Sequence, residues 1–129
     1  MDQNAHETLC AESGPDTRTE EVAALLREVP EFAERYLRLV QESDGHPGAN
    51  ETFSELADYV GGLARGLEQF RPLLVRCLGA VEQVAAFSED AEELVGWCFL
   101  DYLSLDTRRA VVPWLGPSTL SILEEIESP

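Results

Sequence analysis

The sequence has no lysine at all. Its positive charge rests on nine arginines against 25 Asp and Glu, a formal net charge of -16. Such a chain repels phosphate backbones and anionic membrane surfaces, which argues against nucleic-acid and membrane partners. The partners it can attract are cationic, a basic protein foremost; plain solubility is the other use of so much negative charge.

Histidine is scarce. His6 and His46 are the two in the chain, one in a polar N-terminal stretch and one in a Gly-rich loop. A zinc site wants three or four ligands at helix or turn spacing, and a calcium loop wants alternating oxygen ligands; Asp44, His46 and the residues up to Glu55 supply neither. No metal or cofactor is expected. With so few imidazoles, a Ser, Cys or Thr nucleophile also lacks a base, so no catalytic triad is expected. Paired carboxylates are the remaining route to an enzyme, and Asp58 and Asp101 are the two to inspect for partial burial. The expected answer is that the chain is not an enzyme.

The three cysteines, Cys10, Cys77 and Cys98, form no CxxC pair. Cys77 and Cys98 fall on apolar helical faces and read as small core residues, which suits a reducing, cytoplasmic setting. No apolar run reaches the length of a membrane span, and the first residues show neither the basic start nor the apolar run of a secretory signal. No alternating apolar pattern marks a strand.

What is present is helical periodicity. Thr52 to Ser88 carries most of the buried face as two amphipathic helices joined at Pro72. The first lines up Phe53, Leu56, Ala57, Val60, Leu63, Ala64, Leu67 and Phe70; the second Leu73, Leu74, Cys77, Leu78, Val81, Val84 and Ala85. They should pack as a helical hairpin under the remaining helices. Gly61, Gly62 and Gly66 point to close packing or a kink in the first of the two.

Residues 1–16 are polar and read as a disordered tail, leaving 17–129 as one helical domain. Thr17 and Glu20 make a capping box for a helix that runs to about Val29 and buries Val22, Leu25, Leu26 and Val29. Pro30 opens a second helix with Phe32, Tyr36, Leu39 and Val40 inward and a Glu31–Arg35 pair outward. A loop over Ser43 to Glu51 follows, and Thr52 with Glu55 makes another capping box. Ser88 caps a fifth helix, Asp90 to Leu103, that buries Leu94, Val95, Cys98, Phe99 and Tyr102. Asp106 or Thr107 caps a sixth helix, with Val111, Val112 and Leu115 inward and Pro113 shortening it. Gly116-Pro117 starts the last helix, whose seam is Leu120, Leu123 and Ile126. The fold class is therefore all-α, about six to seven helices in an irregular bundle or a short HEAT-like hairpin stack.

The densest acidic run is Glu89, Asp90, Glu92 and Glu93. With Glu82 and Asp101 it could form an anionic surface that steers a basic partner; the plainer reading is a solvated helix start favoured by the helix dipole. Burial is the ordinary fate of Trp97 and Trp114, but an exposed Trp97 beside that run would be a binding anchor. Arg65, Arg71, Arg76, Arg108 and Arg109 are expected to pair with Glu68, Glu82 and Asp106.

Three pieces together carry a resemblance: Val29-Pro30-Glu31-Phe32, Phe53-Ser54-Glu55-Leu56 and Trp114-Leu115-Gly116-Pro117. The stretch from Glu20 to Glu127 resembles small acidic all-helical bacterial proteins of uncharacterised function, some similar to immunity proteins of polymorphic toxin systems. That resemblance implies an acidic domain that neutralises a basic partner protein. It assigns no functional residue. The alternative is a scaffold domain that assembles with itself through an apolar groove near Trp97 or Trp114.

Overall fold

The computed structural model describes residues 19–43 and 47–128. Over those residues the chain is all-α, with seven α-helices, short 3₁₀ turns, one π-helical turn and no strand. The expected tail, Thr17, Cys10, His6 and His46 lie outside the described residues.

Helix α1 (Glu20–Glu28) is capped by Thr19, not Thr17: the Thr19 hydroxyl accepts the Val22 N–H at 3.3 Å. Val22, Leu25 and Val29 are buried and Leu26 packs partly buried against them. Val29 then leaves the helical region ahead of Pro30, as a residue before proline tends to. A 3₁₀ turn over Pro30–Phe32 leads into α2 (Ala33–Glu42), which turns Tyr36 into the core. The expected Glu31–Arg35 pair does not form. Glu31 sits in the 3₁₀ turn and takes a bidentate pair with Arg76, while Arg35 reaches Glu55 at 2.6 Å.

Helix α3 (Ala49–Arg65) starts earlier than Thr52. Its N-cap is Gly48, whose N–H is accepted by the Glu51 carboxylate at 3.3 Å. Thr52 is buried inside the helix and its hydroxyl donates back to the Gly48 carbonyl at 3.0 Å. Gly61 and Gly62 do not interrupt the helix, and neither faces an unusually close neighbour. The break falls at Gly66, where a Cβ would lie 2.9 Å from the Phe70 ring. Helix α4 (Leu67–Ala85) follows at once and holds Pro72 within it, so Pro72 is not the join. Pro72 is exposed in the second turn of the helix, where its missing N–H removes one internal hydrogen bond without ending the helix. Phe70 belongs to α4 and is exposed rather than part of the α3 stripe.

The expected fifth helix is three pieces: α5 (Glu89–Leu94), a π-helical turn over Val95–Phe99, and a 3₁₀ turn over Leu100–Tyr102. Ser88 caps α5, accepting the Ala91 N–H at 3.0 Å. The wider turn rotates everything after it, which shifts the inward face by a residue. Tyr102, expected inside, is 64% exposed, and Leu100 and Leu103 are buried in its place. Helix α6 (Leu105–Val111) is capped by Ser104, neither by Asp106 nor by Thr107; the Ser104 hydroxyl accepts the Thr107 N–H at 3.1 Å. Pro113 ends α6 in a 3₁₀ turn, which leaves Val112 exposed. Helix α7 (Pro117–Glu127) buries Thr119 and Leu123.

Helix α4 is the centre of the bundle. It packs against α1, α3, α5 and α7, while α3 also meets α2, α6 and the π turn. Phe32, Phe53, Leu74, Leu78 and Phe99 are fully buried at this junction. Burial of each such side chain contributes roughly 1.5–3 kcal/mol. Cys77 and Cys98 are buried, and desolvation pushes the Cys77 thiol up to about 12.

Candidate interaction surface

The π turn fixes the most conspicuous exposed residue. Val95, Gly96, Cys98 and Phe99 are buried around it, and Trp97 points outward at 58% exposure. Two contacts hold the turn in place. The Cys98 carbonyl accepts the Ser54 hydroxyl of α3 at 3.2 Å. On the other side a Cβ at Gly96 would lie 3.1 Å from Ile122 of α7, so the absence of a side chain lets α7 approach. The end of the 3₁₀ turn is held by Arg108, which donates to the Leu100 carbonyl at 3.2 Å and the Asp101 carbonyl at 3.3 Å.

Three depressions meet at Trp97. The largest, about 700 Å³, runs between α5 and α7, with Gly96, Trp97, Ile122 and Ile126 as apolar lining and Glu89, Glu92, Glu93 and Glu125 as its carboxylates. A second, about 600 Å³, lies on the α3 side between Leu39, Trp97 and Tyr102, with Glu51, Glu55 and Asp101. A third, about 100 Å³, is bordered by Glu21, Asp90, Glu93 and Leu94. No arginine lines any of the three among the described residues. In the largest, four carboxylates without an interleaved cation produce a strongly negative concave surface, and concavity focuses that field; on the α3 side Glu55 is paired with Arg35 and Asp101 with Arg108.

Of the residues singled out in the sequence, Glu89, Asp90, Glu92, Glu93 and Trp97 are thus brought to one surface. Asp101 borders it, but its carboxylate also lies 3.6 Å from Arg108 and is partly neutralised there. Glu82 is not part of it. Its side chain caps α7 from α4, accepting the Thr119 N–H at 2.9 Å, the Thr119 hydroxyl at 2.7 Å and the Ser118 N–H at 3.0 Å. Partial burial alone would raise the Glu82 pKa; the bonds from Thr119 and Ser118 outweigh it and hold the carboxyl below its ordinary value.

The arginine pairings also differ from expectation. Arg76 pairs with Glu31, Arg108 with Asp101 and Glu127, and Arg71 lies over the ring of Trp114 at 5.7 Å. Trp114 is partly buried against the core as a lid. Asp58, one of the two carboxylates to inspect for burial, is 78% exposed along its side chain and lies 3.4 Å from Arg35; Asp101 is exposed as well. Neither offers the desolvated carboxylate that acid–base chemistry asks for. Among the described residues, no three His, Cys, Asp or Glu side chains are placed to hold a metal ion, and no helix is long and apolar enough to cross a membrane.

Glu125, Ile122 and the glycine contact at Gly96 also belong to this surface, and the sequence pattern does not single them out. The i, i+4 spacing of Ile122 and Ile126 was a signal for an apolar edge on the last helix. Its position opposite Trp97 depends on how α7 packs.

The chain matches no protein-family model, no curated protein and no solved structure. Its function is read from its own residues.

Proposed function

We propose that this chain is an acidic protein-binding domain that captures a basic partner protein and covers its working surface, as an immunity-like neutraliser would. The observation that carries this reading is the exposed Trp97 at the meeting point of carboxylate-rimmed depressions that contain no arginine. An aromatic anchor inside a charged rim is the usual make-up of an energetic centre in an interface. The net charge of -16 adds long-range attraction for a basic protein and repulsion of nucleic acid and anionic lipid. Self-association through this face would set carboxylates against carboxylates, so a second copy is the less favoured occupant. Reduced, buried Cys77 and Cys98 suit a cytoplasmic protein.

The test is retention of a basic protein from a lysate that contains the product of the neighbouring gene, at low and high salt. The control is a variant carrying Glu92→Arg, Glu93→Arg and Glu125→Arg. Retention by the native chain at low salt, weakened at high salt and lost in the variant, is the expected result. A partner held equally by both proteins, at any salt, overturns the reading.

A further inference from the structure

The chain builds one arrangement inside itself that bears on Trp97. Arg35 lies over the Tyr59 ring at 5.2 Å and bonds the Glu55 carboxylate at 2.6 Å, with Asp58 at 3.4 Å. An aromatic face and carboxylates together hold one guanidinium, which satisfies both its planar face and its N–H edge. Arg71 likewise lies over an aromatic ring, that of Trp114, at 5.7 Å. At Trp97 the ring and the carboxylates are present, with Glu93 and Glu89 at the lining, yet no arginine of the described residues reaches them.

We infer that the partner supplies this guanidinium. This inference rests on the basic-partner reading and narrows it. The segment that docks between α5 and α7 is an amphipathic helix whose arginine stacks on Trp97 and bonds the carboxylates beside it. A neighbouring aliphatic side chain seats against Ile122 and Ile126, which line the same depression. The chemistry favours arginine over lysine. A compact, strongly hydrated ammonium gives up more hydration to sit on an indole and cannot bond two carboxylate oxygens side by side. Charge complementarity decides the occupant: the depression is acidic with an apolar floor, so the docking segment is basic with an apolar stripe.

The experiment uses the full chain and two amphipathic helical peptides, identical except that one carries arginine and the other lysine beside a leucine stripe. Binding is followed by the Trp97 indole N–H resonance and by titration calorimetry. The expected result is that the arginine peptide binds about tenfold more tightly than the lysine peptide and moves that resonance. Trp97→Ala abolishes the preference and Trp97→Phe restores part of it. Equal affinity for the two peptides, or a preference that survives Trp97→Ala, overturns the arginine assignment. If that equal binding is salt-sensitive and lost in the Glu92→Arg, Glu93→Arg, Glu125→Arg variant, the basic-partner reading stands without it. Failure of both peptides to bind at low salt overturns both.

Discussion

The Glu82 carboxylate of α4 hydrogen-bonds both the backbone N–H and the hydroxyl of Thr119 in α7, at 2.9 Å and 2.7 Å. Helix α7 begins with Gly116-Pro117 and has no side-chain cap of its own. A carboxylate from another helix supplies the missing acceptor and the negative charge that suits a helix N-terminus. Glu82 therefore serves the fold, and the acids of α5 are left for the surface.

Replacing Glu82 with Ala is expected to cost about 1–2 kcal/mol, the range of a lost N-cap in a partly buried setting. Urea denaturation of the native and variant chains at neutral pH measures it. The sign of the pH dependence follows from the depressed pKa of Glu82. Its contribution is complete above the unfolded carboxyl value and disappears as pH falls through the lower folded value. The stability difference between native and Glu82→Gln should thus be full at pH 7 and shrink toward zero in strong acid; a constant difference contradicts this.

A Cβ at Gly116 would collide with the Glu82 carboxylate. Gly116→Ala should therefore destabilise the chain by about 1–2 kcal/mol by displacing the cap. Combined with Glu82→Ala it should add little, because both remove the same interaction. A double-mutant cycle by denaturation decides this; full additivity would separate the two residues.

Ser54→Ala removes the donor to the Cys98 carbonyl and should cost about 0.5–1.5 kcal/mol. The loss should be local. Hydrogen exchange of the amides in Val95–Phe99 should accelerate more than that of α4 amides such as Leu78, and uniform acceleration would argue against a dedicated clamp on the π turn.

Cys77 is buried with its thiol pushed up to about 12, so at pH 8 it should resist alkylation by iodoacetamide in the folded chain and react once the chain is unfolded in urea. Peptide mass spectrometry after a timed reaction reads each cysteine separately. Labelling of Cys77 in the native chain at the rate seen in urea would contradict its burial.

Trp97→Ala should leave stability within about 0.5 kcal/mol of the native chain, as a mostly exposed site predicts. A large loss in thermal denaturation would make Trp97 a structural residue and remove it from the proposed surface.

The all-α class, the heptad-like stripes of α3 and α4 and the buried thiols were legible from local residue order, because apolar spacing of three and four residues has one regular solution in an isolated segment. Helix boundaries were less so. Several serines, threonines and glycines compete at each start, and the caps that form, Thr19, Gly48 and Ser104, depend on which backbone amides stay unbonded after packing. The same holds for charge. Local order suggested Glu31 with Arg35 and Glu82 on the acidic surface, whereas long side chains took partners from other helices, Arg76 and the start of α7. The π turn is the decisive case. A single wider turn, held by Ser54 and by the approach of α7 to Gly96, rotates Tyr102 outward and presents Trp97 between carboxylates from three helices. Helical periodicity carries no sign of that insertion, because it arises from contacts between segments far apart in the chain.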